Sequence, residues 1–525
     1  MTPEARDEFW NPLRALVTDD RHRDGAQAGV SAELLATVLA RATACAASDI
    51  SRAEIAVGRP RAARMVDRRP ITQPTVSKAV VKLLGEGLLG PGRLVLKAGH
   101  WVERLCLGTG YVVAGVHVIQ HRGAPVAVTT VLCDLGATTV LGSRQDPIGK
   151  DVHDPWGVLA QTIHHHVDTL YQHLRTGPWI TPPELLGVGV EVGAPVIDGT
   201  VSPVHPTAEI APIDLRGRLQ KLFHAERWLP QRAEDQKALL PIVIENDIAA
   251  LAALSIRELH YAPADLVVAA VFEYGVGGGL VMDGRLRRGF SGKAMEIGHL
   301  VVGYPPGWTE QPDGVPQPNP AVARWKSLDP PARCPCGQLG HVDGYATPAS
   351  IRSALIAAAD AAGIDVDRKA DLATLSRFGC PDVAAQILAT AGAALGRALA
   401  HVCNVVDTGE LVVYVPGIFL DAPTRSPIAE YMRSAIHEVR EAFAVRGLPT
   451  TRIDPRPLPP PDGPLEQLCA RAAAACLLET LIEEALELDD PTPKTTRKSA
   501  PRPARRRSRD ATVPAPHVDE RNLPS

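Results

Sequence analysis

The sequence predicts an α/β protein preceded by a winged helix-turn-helix. Three observations lead there. In the middle of the chain, apolar runs such as LLGVGVEVGAPVI and LPIVIEND alternate with Ala-rich stretches of helical spacing such as DIAALAALSIRELH. Buried strands alternating with amphipathic helices are the pattern of a layered α/β core. Near the N-terminus, ITQPTVSKAVVKLLGEGLL joins a helix start to an apolar stripe, and GRLVLKAGHWV follows it as two short strands. At 525 residues the chain exceeds one ordinary core, and a soft prior of about 150 residues per domain gives two or three. Composition divides it into a winged helix-turn-helix region over 1–104, an α/β domain over 105–487 and a basic tail over 488–525.

The bulk numbers narrow the class. A 45% hydrophobic content with 4% aromatics is that of a globular protein. No run approaches the roughly 18 uninterrupted apolar residues of a spanning helix. The opening MTPEARDEFWNPLRALVTDD has no apolar core of a secretory signal, which predicts a cytoplasmic protein. Of nine cysteines, only Cys334 and Cys336 are close neighbours, which argues against a disulfide framework. The net charge of -4 excludes little by itself.

In order along the chain, SRAEIAV places Ser51 three residues before Glu54, the pattern of a capping box that opens a helix. A basic segment, RPRAARMVDRRP from Arg59 to Pro70, follows. Either a helix lies displaced toward Arg61–Val66 or a basic loop intervenes. Thr72 or Gln73 then caps a helix with Pro74 in its first turn. Val76, Val80 and Leu83 or Leu84 make its apolar stripe, and Gln73, Thr75, Ser77, Lys78 and Lys82 offer donors to bases or phosphates. This stretch resembles the recognition helix of many bacterial repressors; a small helical bundle with a solvated face is the blander alternative. Next, YVVAGVHVIQHRGAPVAVTTVLCDLG and DLVVAAVFEYGVGGGLVMDG read as strands, and CPDVAAQILATAGAALGRALAHVCNVV as a helix. From Leu488 the chain becomes rich in Pro, Arg and Ser, a composition that predicts a disordered, solvated tail.

Two motifs carry the chemistry. EIGHLVV begins at Glu296, and CPCGQLGHVDGYATPAS begins at Cys334. His299, Cys334, Cys336 and His341 supply two imidazoles and two thiols, a donor set suited to a tetrahedral, structural Zn2+. The Pro-rich YPPGWTEQPDGVPQPNP between them reads as a surface excursion.

Together these motifs resemble the signature of the ROK family (repressor, open reading frame, kinase) over roughly Tyr111–Glu484. The resemblance implies a two-lobed, actin-like fold of the sugar-kinase type. In that family the second motif ends in Cys with Glu two residues later; here His341 and Asp343 stand there. The family pattern assigns sugar contacts to Asn246, Asp247, Glu296, His299 and Asp343, and makes Asp247 the general base in the kinases. An Asn-Asp helix cap is the plainer reading of the first two. The glycine-rich segment matches at Gly275, Gly277, Gly278 and Gly279, either for phosphate approach or for a tight strand turn.

The kinase loops depart from the family. His117 stands where the kinases carry Asp, and Ile119, Gln120 and His121 replace Gly-Gly-Thr. Pro416 precedes Gly417 in the second nucleotide loop, and Ser202 and Pro203 stand near the place of the family's substrate-holding Pro-Asn pair, with no clear Asn following. The expectation is therefore a non-enzymatic, bacterial ROK-type repressor, a homodimer or homotetramer on double-stranded operator DNA, with a sugar or sugar-derivative effector. A ROK-type sugar kinase and an effector-less, zinc-stabilised DNA-binding scaffold are the alternatives.

Overall fold

The computed structural model describes residues 32–43, 51–57, 71–97, 100–121, 123–149, 152–179, 181–202, 211–224, 239–258, 265–282, 285–292, 294–302, 308–310, 316–318, 334, 336–444, 451–460 and 463–487. The basic segment 58–70, Pro203, most of the Pro-rich excursion and the 488–525 tail lie outside them. Met1–Asp489 clusters as one compact unit.

Among the described residues, three helices come first: α1 (Ala32–Thr43), α2 (Arg52–Val57) and α3 (Gln73–Gly85). The expected capping box starts α2. The Ser51 amide donates to Glu54 Oε2 at 2.9 Å, and the Glu54 amide donates back to Ser51 Oγ at 3.3 Å. Thr72, in extended conformation, caps α3 by accepting from the Thr75 amide. Val76, Ala79, Val80 and Leu83 are buried against Leu35, Leu39 and Ile55. The helix ends at Gly85, and Gly87 takes a left-handed φ of 74°. β1 (Leu89–Lys97) and β2 (His100–Leu107) then form an antiparallel hairpin, longer than the short strands expected. The 104/105 division falls inside β2.

The hairpin runs into the next sheet through a joint with no spare room. A Cβ on Gly108 would lie 1.9 Å from the Gly87 carbonyl oxygen. The Gly108 amide donates to Leu88 at 3.0 Å, and the Tyr111 hydroxyl donates to Glu86 Oε1 at 2.7 Å.

The body repeats one sheet plan twice. β3 (Tyr111–His121), β4 (Ala124–Asp134) and β5 (Val140–Pro147) form a meander; after helix α4 (Pro155–Arg175), β6 (Glu184–Val192) pairs parallel to β3. Three short strands, β7 (Val196–Ile197), β8 (Thr200–Val201) and β9 (Ile213–Asp214), and α5 (Leu215–Leu222) precede β10 (Ile242–Asn246). The strand order is β10-β6-β3-β4-β5. Helix α6 (Asp247–Glu258) leads to β11 (Leu266–Val271), β12 (Val276–Met282) and β13 (Arg285–Leu286). β14 (Trp308–Glu310) and β15 (Pro316–Pro318) pair within the Pro-rich excursion. Helices α7 (Asp343–Ala346), α8 (Pro348–Ala361), α9 (Leu372–Leu375) and α10 (Pro381–Val406) follow, then β16 (Glu410–Pro416), α11 (Ala429–Ala444), β17 (Arg452–Leu458) and α12 (Leu465–Glu487). The second sheet runs β13-β12-β11-β16-β17. In each sheet the first strand is central, an antiparallel pair lies on one side and two parallel strands on the other.

Helix α12 returns to the first sheet. Its Ala-rich face sits directly on β3 and β6, where a Cβ on Gly115 or Gly189 would meet the Ala470 or Ala473 carbonyl oxygen at 2.0 Å. Small residues on both surfaces bring helix and strand backbones together and keep the layer dense. The same helix also packs against α6 and α1. Arg257 of α6 pairs with Glu479 of α12 at 3.1 Å, both almost fully buried. Glu258 accepts from Arg471 and Arg456, each at 3.0 Å. Helix α10 is long and apolar enough to cross a membrane, but Leu388, Leu395 and Leu399 are spent in the core beneath the second sheet, with α11.

Candidate effector and metal site

Asn246 ends β10 and Asp247 starts α6. Asn246 Oδ1 accepts from the Ile248 and Ala249 amides at 3.1 and 3.3 Å, so the amide side chain is the helix cap. Asp247 Oδ1 accepts from the Ile248 amide at 2.8 Å. Burial, and then the charge of Glu191, push the Asp247 carboxyl up to about 7. Gly277 lies against the same turn, its Cβ position 2.3 Å from Ile248 Cγ1. Gly278 and Gly279 are similarly filled by Met295 and Ile248. Close packing of β12 thus accounts for three of the four glycines, and Gly275 has only Asp343 Oδ2 near its Cβ position, at 3.9 Å.

One residue before Gly277, the Val276 amide donates to Asp343 Oδ1 at 2.8 Å. Asp343 is buried, and burial raises its carboxyl. Gly298 makes room for it, since a Cβ there would lie 2.3 Å from that oxygen. The shortened carboxylate therefore braces β12 from inside. Glu296, by contrast, is exposed, with Oε2 3.9 Å from His299 Nε2.

The EIGH and CPCG motifs meet through a β-bridge. Val301 pairs with His341, the Val302 amide donates to Gly340 at 2.9 Å and the Val342 amide to Leu300 at 3.1 Å. A turn in which the Gly337 amide donates to Cys334 at 2.8 Å presents the thiols. Cys334 Sγ lies 3.6 Å from His299 Nδ1, Cys336 Sγ 3.3 Å from His341 Nδ1, and the two Nδ1 atoms are 3.3 Å apart. A tetrahedral cation with metal–sulfur and metal–nitrogen bonds of about 2.3 and 2.0–2.1 Å has S···N and N···N edges of about 3.6 and 3.3 Å. The donor set fits such an ion without rearrangement. Burial pushes the Cys334 thiol up to about 12, so binding a cation there would expel its proton.

On α3, Gln73 and Lys78 are exposed, while Thr75, Ser77 and Lys82 are half-buried. The Thr75 hydroxyl is taken up with Thr72 Oγ1 at 2.7 Å. Val81, which the sequence reading left aside, is 61% exposed on the same outer face. The reading also missed Glu191, although a lone acid in VGVEVG is a signal. Glu191 is fully buried and pairs with His117.

A cavity of about 350 Å3 lies along β10, between Arg216, Arg288, Phe290 and Glu483, and includes none of the residues singled out above. Arg288 there is neutralised by Glu245 and Glu483.

The duplicated five-stranded sheet, with helices around it, defines a mixed α/β fold. Residues 231–442 match the model of the ROK family. No curated protein sequence matches the chain. Among solved structures, a ROK family transcriptional regulator homologous to the E. coli MLC protein is 16% identical with a TM-score of 0.52, over 86% of this chain and 98% of that one. A ROK hexokinase from Thermus thermophilus is 20% identical (TM-score 0.48, 70% and 98% covered). A ROK family glucokinase from Streptomyces griseus, in complex with glucose and AMPPNP, is 18% identical (TM-score 0.43, 69% and 98%).

Proposed function

We propose that the chain is a DNA-binding transcriptional regulator of the ROK type, a repressor rather than an enzyme. The observation that carries the reading is the N-terminal unit. Three helices followed by an antiparallel hairpin are the parts of a winged helix-turn-helix, and α3 turns Gln73, Lys78 and Val81 outward while Val76, Val80 and Leu83 hold it to the other helices. Lysines there would meet phosphates, and Val81 suits a thymine methyl group. Paired copies of the chain would present two such helices to half-sites about 34 Å apart.

The body acts as sensor in this reading. His299, Cys334, Cys336 and His341 would hold a structural Zn2+, closed by four protein ligands. With His299 held in this way, Glu296 and His299 would stand beside β12, and a sugar-like effector would bind there with Asn246 and Asp247. Asp343 supports that floor from beneath, through Val276.

The alternative of a sugar kinase is favoured by one observation: an Asp247 carboxyl titrating at about 7 is tuned for a general base. Against it, the His117–Glu191 pair occupies the strand end where a phosphate would need small residues and open amides.

Selection of genomic DNA fragments by the purified chain, compared with Lys78→Ala/Lys82→Ala, tests the proposal. A single palindromic site enriched by wild type and lost in the double variant is expected, with affinity falling steeply as salt rises. Absence of any enriched sequence, together with sugar-dependent ATP hydrolysis abolished by Asp247→Asn, would replace the regulator with the kinase.

A further inference from the structure

Within the first sheet, three donors of different chemistry converge from elements far apart in sequence. His117 comes from β3, Glu191 from β6 and Cys469 from α12, and a ligand atom of each lies within 4.8 Å of the other two. They are separate from the set around Cys334. Glu191 has no exposed surface, and although Oε1 meets His117 Nδ1, its Oε2 has no hydrogen-bond partner. A fully buried carboxylate oxygen with nothing to bind is an expensive arrangement, because the desolvated charge is only half compensated. Cys469 is also buried, and its thiol lies within 4.8 Å of a ligand atom of this carboxylate.

We propose that His117, Glu191 and Cys469 form a second metal site, which takes a Zn2+-class divalent cation. One nitrogen, one oxygen and one sulfur donor are the borderline mixture that suits zinc, and hard cations such as Mg2+ would reject the thiolate. Binding would replace the Cys469 proton with the cation and supply the partner that Glu191 Oε2 lacks. Three protein ligands leave a fourth position open. Asp247 Oδ2 and Gln120 Oε1 crowd the neighbouring space, each 3.5 Å from the Cβ position of Gly193, and Gln120 Oε1 is itself unpaired. A water or an anionic small molecule on the cation would therefore lie on the Asp247 side. The cation would fasten α12 to β3 and β6, and because α12 also carries α1, occupancy would stiffen the seat of the N-terminal helices.

The test counts zinc per chain by native mass spectrometry on full-length protein purified from zinc-supplemented cells without chelator. Wild type is expected to carry two ions, and His341→Ala, Cys469→Ala and His117→Asn one each. The inference is overturned if Cys469→Ala and His117→Asn keep the full wild-type count, or if wild type carries one ion and His341→Ala none. The second comparison uses neither substitution in the proposed site, so it decides even if those variants misfold. DNA selection is scored separately, so loss of this site and loss of the regulator reading give different results.

Discussion

His166 shows how a single side chain makes this fold sensitive to acid. It points from α4 under the first sheet with no exposed side-chain surface; Nε2 lies 2.8 Å from Asp146 Oδ2 and Nδ1 3.1 Å from Thr130 Oγ1. Burial lowers its pKa more than Asp146 raises it, while Arg144 and His165 add to the lowering. The imidazole is therefore neutral in the folded chain at neutral pH. Because the unfolded chain binds the proton more readily, stability is full above the unfolded value of about 6.5 and is lost as pH falls below it. Asp146 adds to the loss at lower pH, since its carboxyl is depressed, first by the His166 hydrogen bond. Thermal unfolding followed from about pH 7.5 to about pH 5 should show a steeper fall in Tm for wild type than for His166→Gln. Equal slopes would mean that His166 is not the group that protonates.

At the scale of elements, the contact between α12 and the first sheet depends on missing side chains. Gly189→Ala would drive a methyl into the Ala473 carbonyl, and overpacking of this kind typically costs about 1–3 kcal/mol. Gly409→Ala, whose new methyl would meet nothing within 4 Å, is the control and should stay within about 0.5 kcal/mol of wild type. Denaturant unfolding of the two variants measures the difference; equal stabilities would show that the helix can shift to accept the methyl. This contact also marks a limit of the sequence reading. Period and composition located β10, α6 and α10 almost to the residue, because each has a strong apolar repeat of its own, whereas β11 and β12 fell within one run read as strand. In α12, alanines lie on nearly every side, so its pattern names no partner; the partner is encoded in Gly115 and Gly189, hundreds of positions earlier. The four-ligand cluster was legible because its halves are local motifs, although the Val301–His341 bridge that joins them was not. Glu191 and Cys469 escaped notice for the opposite reason, since each stands alone in its own segment. The motif singled out Asp343 as an effector contact, but its inward turn toward Val276 was not legible.

Across the whole molecule, the two sheets are held together largely through α6 and α12. Their centre is the Arg257–Glu479 pair, buried among apolar side chains. Arg257→Ala would remove the guanidinium that Glu479 meets at 3.1 Å, and breaking a buried pair from one side costs about 3–5 kcal/mol. Arg257→Met combined with Glu479→Leu should recover much of that loss, since neither buried charge remains. Calorimetry on both variants checks this, and a double variant as unstable as the single one would refute it. The position of α12 also sets a timetable for biogenesis. As the nascent chain leaves the ribosome, β3, β6 and β10 are complete long before residues 465–487 exist. Until that helix emerges, one face of the first sheet and the back of α1 stay uncovered, an aggregation hazard typical of long-range topology. Ribosome-bound chains stalled before Leu465 should therefore be protease-sensitive and chaperone-dependent through their N-terminal half, and become resistant only after α12 has been released.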